Sequence, residues 1–544
     1  MKTFRGFLWR FLFKEIVPPQ DLIAQYGRFL AQLLANRGFS EPPAESVISF
    51  RAQTVPNLNE AGEKILNAVK KGKPIFLFGD YDVDGLTSTA LMFKLLRRLG
   101  AKKVFPVVPE RSEGYGLLPP FVEKFYKLAG GGLIVALDNG TKEVETVKLA
   151  QKLGFDVVIF DHHTPGEELP PCTLVNPKIS PNAPQFLKDL STVGLVYIFA
   201  KYLERSGLTQ IDPSWVDLPA LGTIADVSAL SCLNSKLVRK GLKFLNRRET
   251  SSVGLKVLLQ NLRLEKLNEN DIAFRLAPRL NAFGRMEKAR RGLKFLITEK
   301  EREAQKLFEE MEALNNRRKE ITERITRRVI QYYERNPSKA LIYVDRIPKG
   351  ILGIVAGRTA SLLGVPSVIF STDGRMAVGS SRSPEGINLV KVLKKISPLM
   401  ERWGGHSQAA GLSVKVENLE EFKERFLQEV ERYPTPTPTL EVDFPLQPKH
   451  LRENENVKNA LRRLQPFGAG NPYPRFLFED ILLDFKRNRY GFTLHFERNG
   501  KLYMNATDRG EVIPHHLKGK KLRVVYSVDN TERLDLQVEY FLWV

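Results

Sequence analysis

The sequence predicts an α/β protein: a parallel-sheet lobe joined by a long helix to a second α/β lobe, followed by an OB-type β-barrel. Three observations carry this. From Ile75 onward, apolar runs (IFLFGD, KVFPVV, LIVALDNG, DVVIFDHH) alternate with helix-like segments such as Thr87–Leu99 and Glu143–Leu153, as expected of strands covered on both faces of a parallel sheet. Glu301 to Asn336 runs without Gly or Pro in a charged helical pattern, roughly 54 Å long if straight. Beyond Leu440 the chain is strand-rich (LEVDFPL, RFLFEDILLDF, GFTLHFER, KLYMNA, KKLRVVYSV, LDLQVEYFLWV), and Asn499-Gly500 is a two-residue hairpin signal. Small barrels of this kind commonly bind single-stranded nucleic acid.

At 544 residues the chain is too long for one core, since cores rarely grow past about 250–300 residues. The expected division is a helical lead-in over 1–70, the parallel-sheet domain with a basic helical part over 71–300, a connecting helix over 301–338, the second α/β domain over 339–433 and the OB-type domain over 434–544. The Pro-Thr repeat Pro434–Pro438 reads as semi-rigid linker. Helical spacing of Leu22, Ile23, Tyr26, Leu30 and Leu33 supports the lead-in. The opening MKTFRGFLWRFLFKE, interrupted by Arg5, Arg10 and Lys14, reads as a docking helix rather than a signal peptide.

Lys and Arg outnumber Asp and Glu 83 to 62, a formal charge of +21, so the surface favours a polyanion. Between Ser235 and Lys300 there are 17 basic against 6 acidic residues, more than half of that surplus. Two cysteines, Cys172 and Cys232, form no disulfide framework and no CxxC zinc spacing, which fits a reducing, cytoplasmic compartment. No apolar stretch approaches the roughly 20 residues that a membrane helix needs.

The most informative residues are acids where apolar strands run out. Asp80, Asp82 and Asp84 follow IFLFG; Asp138 follows LIVAL; Asp161, His162 and His163 follow VVIF; Asp226 lies in GTIADV. A carboxylate directly after a buried strand is costly unless it faces a ligand, water or a helix N-terminus. Singly, Asp161 reads as a helix cap and His162 as a core histidine; together the groups read as hard oxygen ligands with imidazole, suited to Mn²⁺ or Mg²⁺. DYDVDG also resembles part of a calcium loop, but no bidentate Glu follows near Ala90.

GDYDVDG, LDNG, DHH and TIADV, in this order and separation, resemble the motifs of the DHH phosphoesterases. PERSEGYGL at 109–117, APRLNAFGRM at 277–286, GSSRS at 379–383, GGHSQAAG at 404–411 and LQPFGAGNPYPRF at 464–476 are similar to the single-strand-specific 5′→3′ DNA exonucleases of that family. The resemblance covers most of the chain from about residue 50. It implies a DHH lobe and a DHH-associated lobe facing across a cleft, an OB-type domain beyond them, and two Mn²⁺ or Mg²⁺ ions. By motif, Asp82 and Asp138 would hold one ion, and Asp84, His162 and Asp226 the second, with Asp138 bridging. Asp80 would be an outer ligand or water acceptor, and His163 would orient the site or touch the scissile phosphate. Paired cations supply charge neutralisation and an acidified water, so no protein nucleophile is required.

Metals cannot select one end of a strand. Candidates for that task are Arg279, Asn281, Arg285, Ser381, Arg382 and His406, where glycines admit phosphate to the backbone and guanidinium offers a bidentate fork. Arg279 and Arg285 also read as solvated helix charges, and His406 as a turn residue. Tyr115, Phe283, Phe467 and Tyr473 are aromatic candidates for base stacking, though an aromatic in such a place is more often core than platform.

The chain departs from the family pattern in two places. Phe78 stands where related members have a His, which implies a first ion held more weakly or with an extra water. Ile347-Pro348-Lys349-Gly350 replaces a WHxG-like start before GIVA, removing any contact made by that His. The expected activity is metal-dependent 5′→3′ hydrolysis of single-stranded DNA to mononucleotides in repair and recombination, by a monomer with no membrane association and with a single-strand-binding protein or helicase as partner. The alternatives are a DHH-family phosphoesterase of short oligonucleotides or cyclic dinucleotides, which needs no third domain, and a non-catalytic single-strand-binding scaffold, which would have lost ligands that are intact here.

Overall fold

In the computed structural model, which describes residues 10–14, 16–46, 54–286, 288–434, 439–488, 491–496, 502–507, 518–530 and 535–543, the first lobe is built on five parallel strands. Their spatial order is Val104–Val107, Ile75–Gly79, Gly132–Leu137, Phe155–Phe160 and Thr173–Val175. Alternate side chains feed two cores. Leu77, Val135 and Leu137 pack beneath the helices Val83–Arg98 and Thr192–Arg205. Phe76, Phe78, Ile134 and Ala136 pack beneath Pro119–Ala129 and Val144–Lys152. Both faces are dry, which is why these strands read as unbroken apolar runs.

From Ile75–Gly79 the chain first adds the edge strand Val104–Val107, then crosses back to add Gly132–Leu137 on the other side. At such a switch point the connections leave in opposite directions and a crevice opens beyond the carboxyl ends. The acids lie there.

The second lobe carries a mixed five-stranded sheet, ordered Arg402–His406, Ala409–Lys415, Met376–Arg382, Ser367–Thr372, Leu341–Asp345, with only the last pair parallel. Its apolar face packs on Leu419–Glu431 through Phe370, Phe422 and Phe426. The third sheet closes on itself: Arg475–Asn488, Gly491–Phe496, Leu502–Thr507, Asp535–Trp543, Lys521–Asn530 and back to Arg475–Asn488. Numbered along the chain this is 1-2-3-5-4-1, with strands three and five parallel, the path of an OB barrel. The Asn499-Gly500 hairpin and residues 435–438 of the expected linker lie outside the described residues.

The lead-in is not one unit. Helix Gln20–Ala35 buries Leu30, Leu33 and Leu34 with the barrel core, whereas Leu58–Lys70 buries Leu58, Ala61 and Ile65 against the first lobe. Of the expected docking helix, Met1–Trp9 and Glu15 lie outside the described residues; Arg10–Phe13 is a strand, paired in parallel with Thr439–Val442. An open strand edge near the barrel offers this segment ladder hydrogen bonds that a short helix could not match.

Asp443 anchors this arrangement. Its carboxylate accepts from Asn36 Nδ2 (2.9 Å), Arg37 Nη1 (3.0 Å) and Nη2 (3.3 Å), and the Arg475 backbone N–H (3.0 Å). Both partners of the Arg37–Asp443 pair are buried.

The connecting helix, Glu301–Arg335, does more than set a spacing. Ala304, Leu307, Phe308 and Met311 belong to the first core, and Ile325 and Val329 to a core of the second lobe. Between them the buried positions are polar: Asn315, Arg318 and Thr322. The 35-residue helix is thus docked at both ends and crosses the cleft on a hydrophilic stretch.

Removing one member of a buried ion pair strands the other charge, so Asp443→Ala is expected to lower stability by about 3–5 kcal/mol in denaturant titrations. A second prediction concerns pH. Burial raises Asp217 from 3.8 to about 7, against opposing hydrogen bonds from Ser251 and the charge of Lys94. The folded chain therefore holds a proton that the unfolded chain releases near 3.8, and this contribution is full below that pH and lost as pH rises through about 7. Asp217→Asn is expected to flatten the decline in Tm between those limits.

Candidate active site

Asp80, Asp138 and Asp161 each sit one residue past a strand, and each N–H continues the ladder. Asp80 N donates to Leu137 O (3.2 Å), Asp138 N to Phe160 O (3.0 Å) and Asp161 N to Val175 O (3.2 Å). Three carboxylates are thereby fixed at one crevice mouth. Asp138 adopts φ +66°, a left-handed conformation that costs a non-glycine residue about 1–2 kcal/mol and is retained where geometry matters.

The remaining acids come from helix ends. Asp82 caps Val83–Arg98, its Oδ1 accepting from Gly85 N (3.0 Å). Gly85 is obligatory, because a Cβ there would lie 2.5 Å from Asp80 O. Asp84 accepts from the backbone N–H of Thr192 (2.7 Å) and Val193 (3.0 Å), the positive end of a neighbouring helix. Asp226 terminates Asp217–Ala225 and accepts from Ser228 Oγ (2.6 Å).

These side chains form three overlapping groups with ligand atoms within 4.8 Å of one another: Asp80, Asp82 and Asp138; Asp84, His162 and Asp226; Asp138, His162 and His163. His162 Nε2 lies 3.4 Å from Asp138 Oδ1, 3.7 Å from Asp226 Oδ2 and 3.9 Å from Asp84 Oδ2. Asp138 belongs to two of these groups, one with Asp80 and Asp82 and one with His162 and His163. Asp80, expected as an outer group, stands among the candidate ligands of the first position.

Electrostatics make the cation requirement plain. Burial, reinforced by repulsion from neighbouring carboxylates, raises Asp80, Asp84 and Asp138 well above the usual range, and burial lifts Asp226 to about 6. Burial and the neighbouring His163 charge lower His162 to about 3, so its ring is neutral. Asp80 Oδ1 and His162 Nε2 are buried without a hydrogen-bond partner. Orphaned acceptors, a neutral imidazole and mutually repelling acids fit two hard divalent cations.

His163 differs from its neighbour. Although burial opposes it, the hydrogen bond from Nδ1 to Asp161 Oδ1 (2.7 Å) raises it to about 9, leaving a cationic ring that is 41% exposed. Asp161 is correspondingly held below its usual range: burial pushes upward, but His163 outweighs it. Asp161 also accepts from the N–H groups of His162, His163 and Thr141, so it organises the turn rather than joining the metal groups. Tyr115 Oη lies 3.5 Å from His163 Nε2.

Arg285 and Asn281 line a cavity of about 620 Å³ that begins beside Asp226 at Thr223, Ile224 and Ala225. Burial lowers Arg285 to about 10, aided by the charges of Arg111 and Arg318. Its Nη1 donates to Gly350 O (2.9 Å), across the lobes. Ser381 is buried with Oγ unpartnered, and Arg382 Nη1 donates to Ser381 O (2.8 Å) and Ser380 Oγ (3.1 Å). Ser381 shares the core face of its sheet with Val368 and Ala410, so what the second lobe adds to the cationic wall is Arg382.

Two further expected substrate residues, Arg279 and His406, make no described contact with the acids. Arg279 grips Glu312 of the connecting helix and donates to Arg275 O (2.7 Å); a carboxylate one helix away neutralises it. His406 lies exposed on the edge strand Arg402–His406, with no described hydrogen bond or ion pair to the acids. Phe283 and Phe467 are core residues, whereas Tyr115 is exposed and Tyr473 lines the cavity. Phe78 points into the opposite core, its ring 4.9 Å from that of Phe121, so three carboxylates remain for the first position.

Sequence reasoning missed Arg111, Arg318 and Thr192. Arg111 stacks on Tyr81 at 4.1 Å with Nε buried and unpartnered; Arg318 lines the cavity with Nε likewise unpartnered; Thr192 Oγ1 donates to Asp138 Oδ1 (3.1 Å). Only the position of Arg111 inside PERSEGYGL offered a signal.

An acid cluster at the switch point of a parallel sheet, roofed by a second lobe, defines a metal-dependent phosphoesterase of the DHH class. Residues 74–223 match the DHH family N-terminal domain, and 336–432 match the DHHA1 domain. The chain is 32% identical over 502 residues to the single-stranded-DNA-specific exonuclease RecJ of Escherichia coli, covering 85% of each, and 31% identical to RecJ of Bacillus subtilis, covering 92% of this chain and 66% of that relative. The crystal structure of Thermus thermophilus RecJ in complex with Mn²⁺ superposes with a TM-score of 0.83 at 28% identity, over 98% of this chain and 79% of that one. The chain belongs to the RecJ family of DHH proteins.

Gly222 allows Asp84 its place: a Cβ there would lie 2.8 Å from Asp84 Oδ1 and 2.5 Å from Val193 Cγ1. Gly222→Ala is expected to weaken Mn²⁺ binding about 10–100-fold in calorimetric titration while circular dichroism stays native, because it displaces a ligand without removing one.

Proposed function

We propose that this chain is a metal-dependent exonuclease that hydrolyses single-stranded DNA from the 5′ end to mononucleotides, serving repair and recombination. The observation that carries the reading is the meeting, at Asp138, of acid and imidazole groups suited to paired cations, beside a wall bearing Arg285 and Arg382.

Asp80, Asp82 and Asp138 would hold one ion, and Asp84, His162 and Asp226 the other, with Asp138 between them. When bound, the ions supply neutralisation of phosphate charge and acidification of water. Thr192 and the backbone of Thr192 and Val193 hold Asp138 and Asp84 in place. The His163 imidazolium, oriented by Asp161, would donate a hydrogen bond to the phosphate oxygens or a proton to the departing O3′, the latter made good by the proton that the attacking water sheds. Water adds to phosphorus and the P–O3′ bond breaks, which releases the terminal nucleotide and leaves a 5′-phosphate on the shortened strand.

That new phosphate suits Arg285 and Arg382, and Arg111 and Arg318 extend the positive field around it. A wall that recognises the product of each cut as the start of the next gives one polarity. The protein would act as a monomer in the cytoplasm, in concert with a single-strand-binding protein or helicase that exposes its substrate; the two free cysteines agree with that compartment. No helix among the described residues is long and apolar enough to cross a membrane.

Strands labelled at either end, incubated with Mn²⁺ or Mg²⁺, are expected to release mononucleotides from the 5′ end. Release solely from the 3′ end would contradict the polarity. Asp138→Ala and His162→Ala are each expected to lower kcat at least about 10³-fold; retained activity in either would remove the site assignment.

A further inference from the structure

A second concavity lies away from the acids. It has a volume of about 560 Å³ and runs between the helix Cys232–Arg247 and the end of the helix Glu455–Leu464, with Leu267 and Asn268 in its floor. Lys243, Arg247, Lys266 and Arg462 line it, against the single carboxylate of Glu269. Glu269 is buried and turned inward: Oε1 accepts from Phe467 N (2.9 Å) and Tyr473 Oη (3.2 Å). Lys243 and Arg247 are exposed, one helical turn apart, and have no ion-pair partner among the described residues.

The walls are fixed. Asn246 Nδ2 donates to Leu267 O (2.9 Å) and Leu267 N donates to Asn246 Oδ1 (2.6 Å), joining helix to floor. Arg239 donates to the carbonyls of Arg463 (2.6 Å) and Gln465, joining the helix to the barrel side. With Arg239 used in construction, Lys243 and Arg247 are left facing the groove.

Position gives the groove its occupant. Glu269 also lines the 620 Å³ cavity that starts beside Asp226, so the groove lies directly against that cavity, with the buried Glu269 between them. A strand that has its 5′ end in the crevice and leaves past this wall meets a groove whose basic lining complements its phosphates. We propose that the basic groove of Lys243 and Arg247 binds the sugar-phosphate backbone of single-stranded DNA several nucleotides to the 3′ side of the cut. The proposal rests on the nuclease reading, and it makes the groove a grip that long strands engage and short ones do not reach.

Salt dependence of binding tests it apart from cleavage. Each phosphate contact on a single strand contributes about 0.7 to the slope of log affinity against log salt, so the double variant Lys243→Gln/Arg247→Gln is expected to lose about 1.4 from that slope. The measurement is fluorescence anisotropy of the full chain in EDTA, with a strand of about 20 nucleotides; a strand of about 4 nucleotides is expected to show no change. Lys102→Gln/Lys103→Gln removes the same charge from another surface and is expected to leave both slopes as they are.

An unchanged slope for the long strand, or an equal loss in the control variant, overturns the proposal. So does an unchanged slope combined with lost binding of a polyglutamate peptide, which would assign the groove to an acidic protein segment. Failure of the parent protein to cut any strand with Mn²⁺ would instead overturn the nuclease reading, and the slope difference would still decide whether the groove holds DNA.

Discussion

Like charges gathered in a medium of low dielectric repel strongly, and the crevice is organised around that repulsion. Asp80, Asp84 and Asp138 are almost wholly buried within reach of one another, and no described arginine or lysine forms an ion pair with them. A fold tolerates such a cluster only if other interactions hold the backbone in place. Here the holding is done by the parallel ladder, which extends one bond past each strand, and by the amide groups at the start of Thr192–Arg205. The left-handed turn at Asp138 is part of the same arrangement, since it directs the carboxylate shared by two groups.

Charge is sorted across the cleft. The first lobe presents acids and the neutral ring of His162; toward the second lobe stand Arg285, Arg318 and Arg382, with Arg111 near them. The connecting helix supports this division, because its apolar ends are set in separate cores while its polar middle crosses between them. Gly350 permits the close approach, since a Cβ there would lie 2.1 Å from Arg285 O. The Pro348 turn that departs from the family pattern therefore packs against the cationic wall.

Much of the sheet and acid chemistry was legible because it is local. A carboxylate one step beyond an apolar run is conspicuous in sequence, so Asp80, Asp138 and Asp161 announced the crevice, and the DHH motifs supplied Asp84, His162 and Asp226. What could not be read depends on distant pairing. An arginine written in a helix looks the same whether it faces a phosphate or a glutamate, which is why Arg279, tied to Glu312, stood beside Arg285 in the expectation. Arg318 was hidden inside a charged helix, and Thr192 lies more than fifty residues from the aspartate it supports. The opening strand was misread because its partner, Thr439–Val442, is contributed by the far end of the chain.

That far partnership bears on how the molecule is made. The helix Gln20–Ala35, made about four hundred residues earlier, has its apolar side matched to a barrel whose strands begin at Arg475. At synthesis rates of about 5–20 residues per second, it waits tens of seconds for its counterpart while both α/β lobes can already condense. During that interval Leu30, Leu33 and Leu34 are sticky surface, and a nascent chain cut short before the barrel would keep them so. Sealing the barrel with Gln20–Ala35 thus makes synthesis of the barrel a condition for burying this hydrophobic stripe, at the cost of a long exposure to chaperones and aggregation.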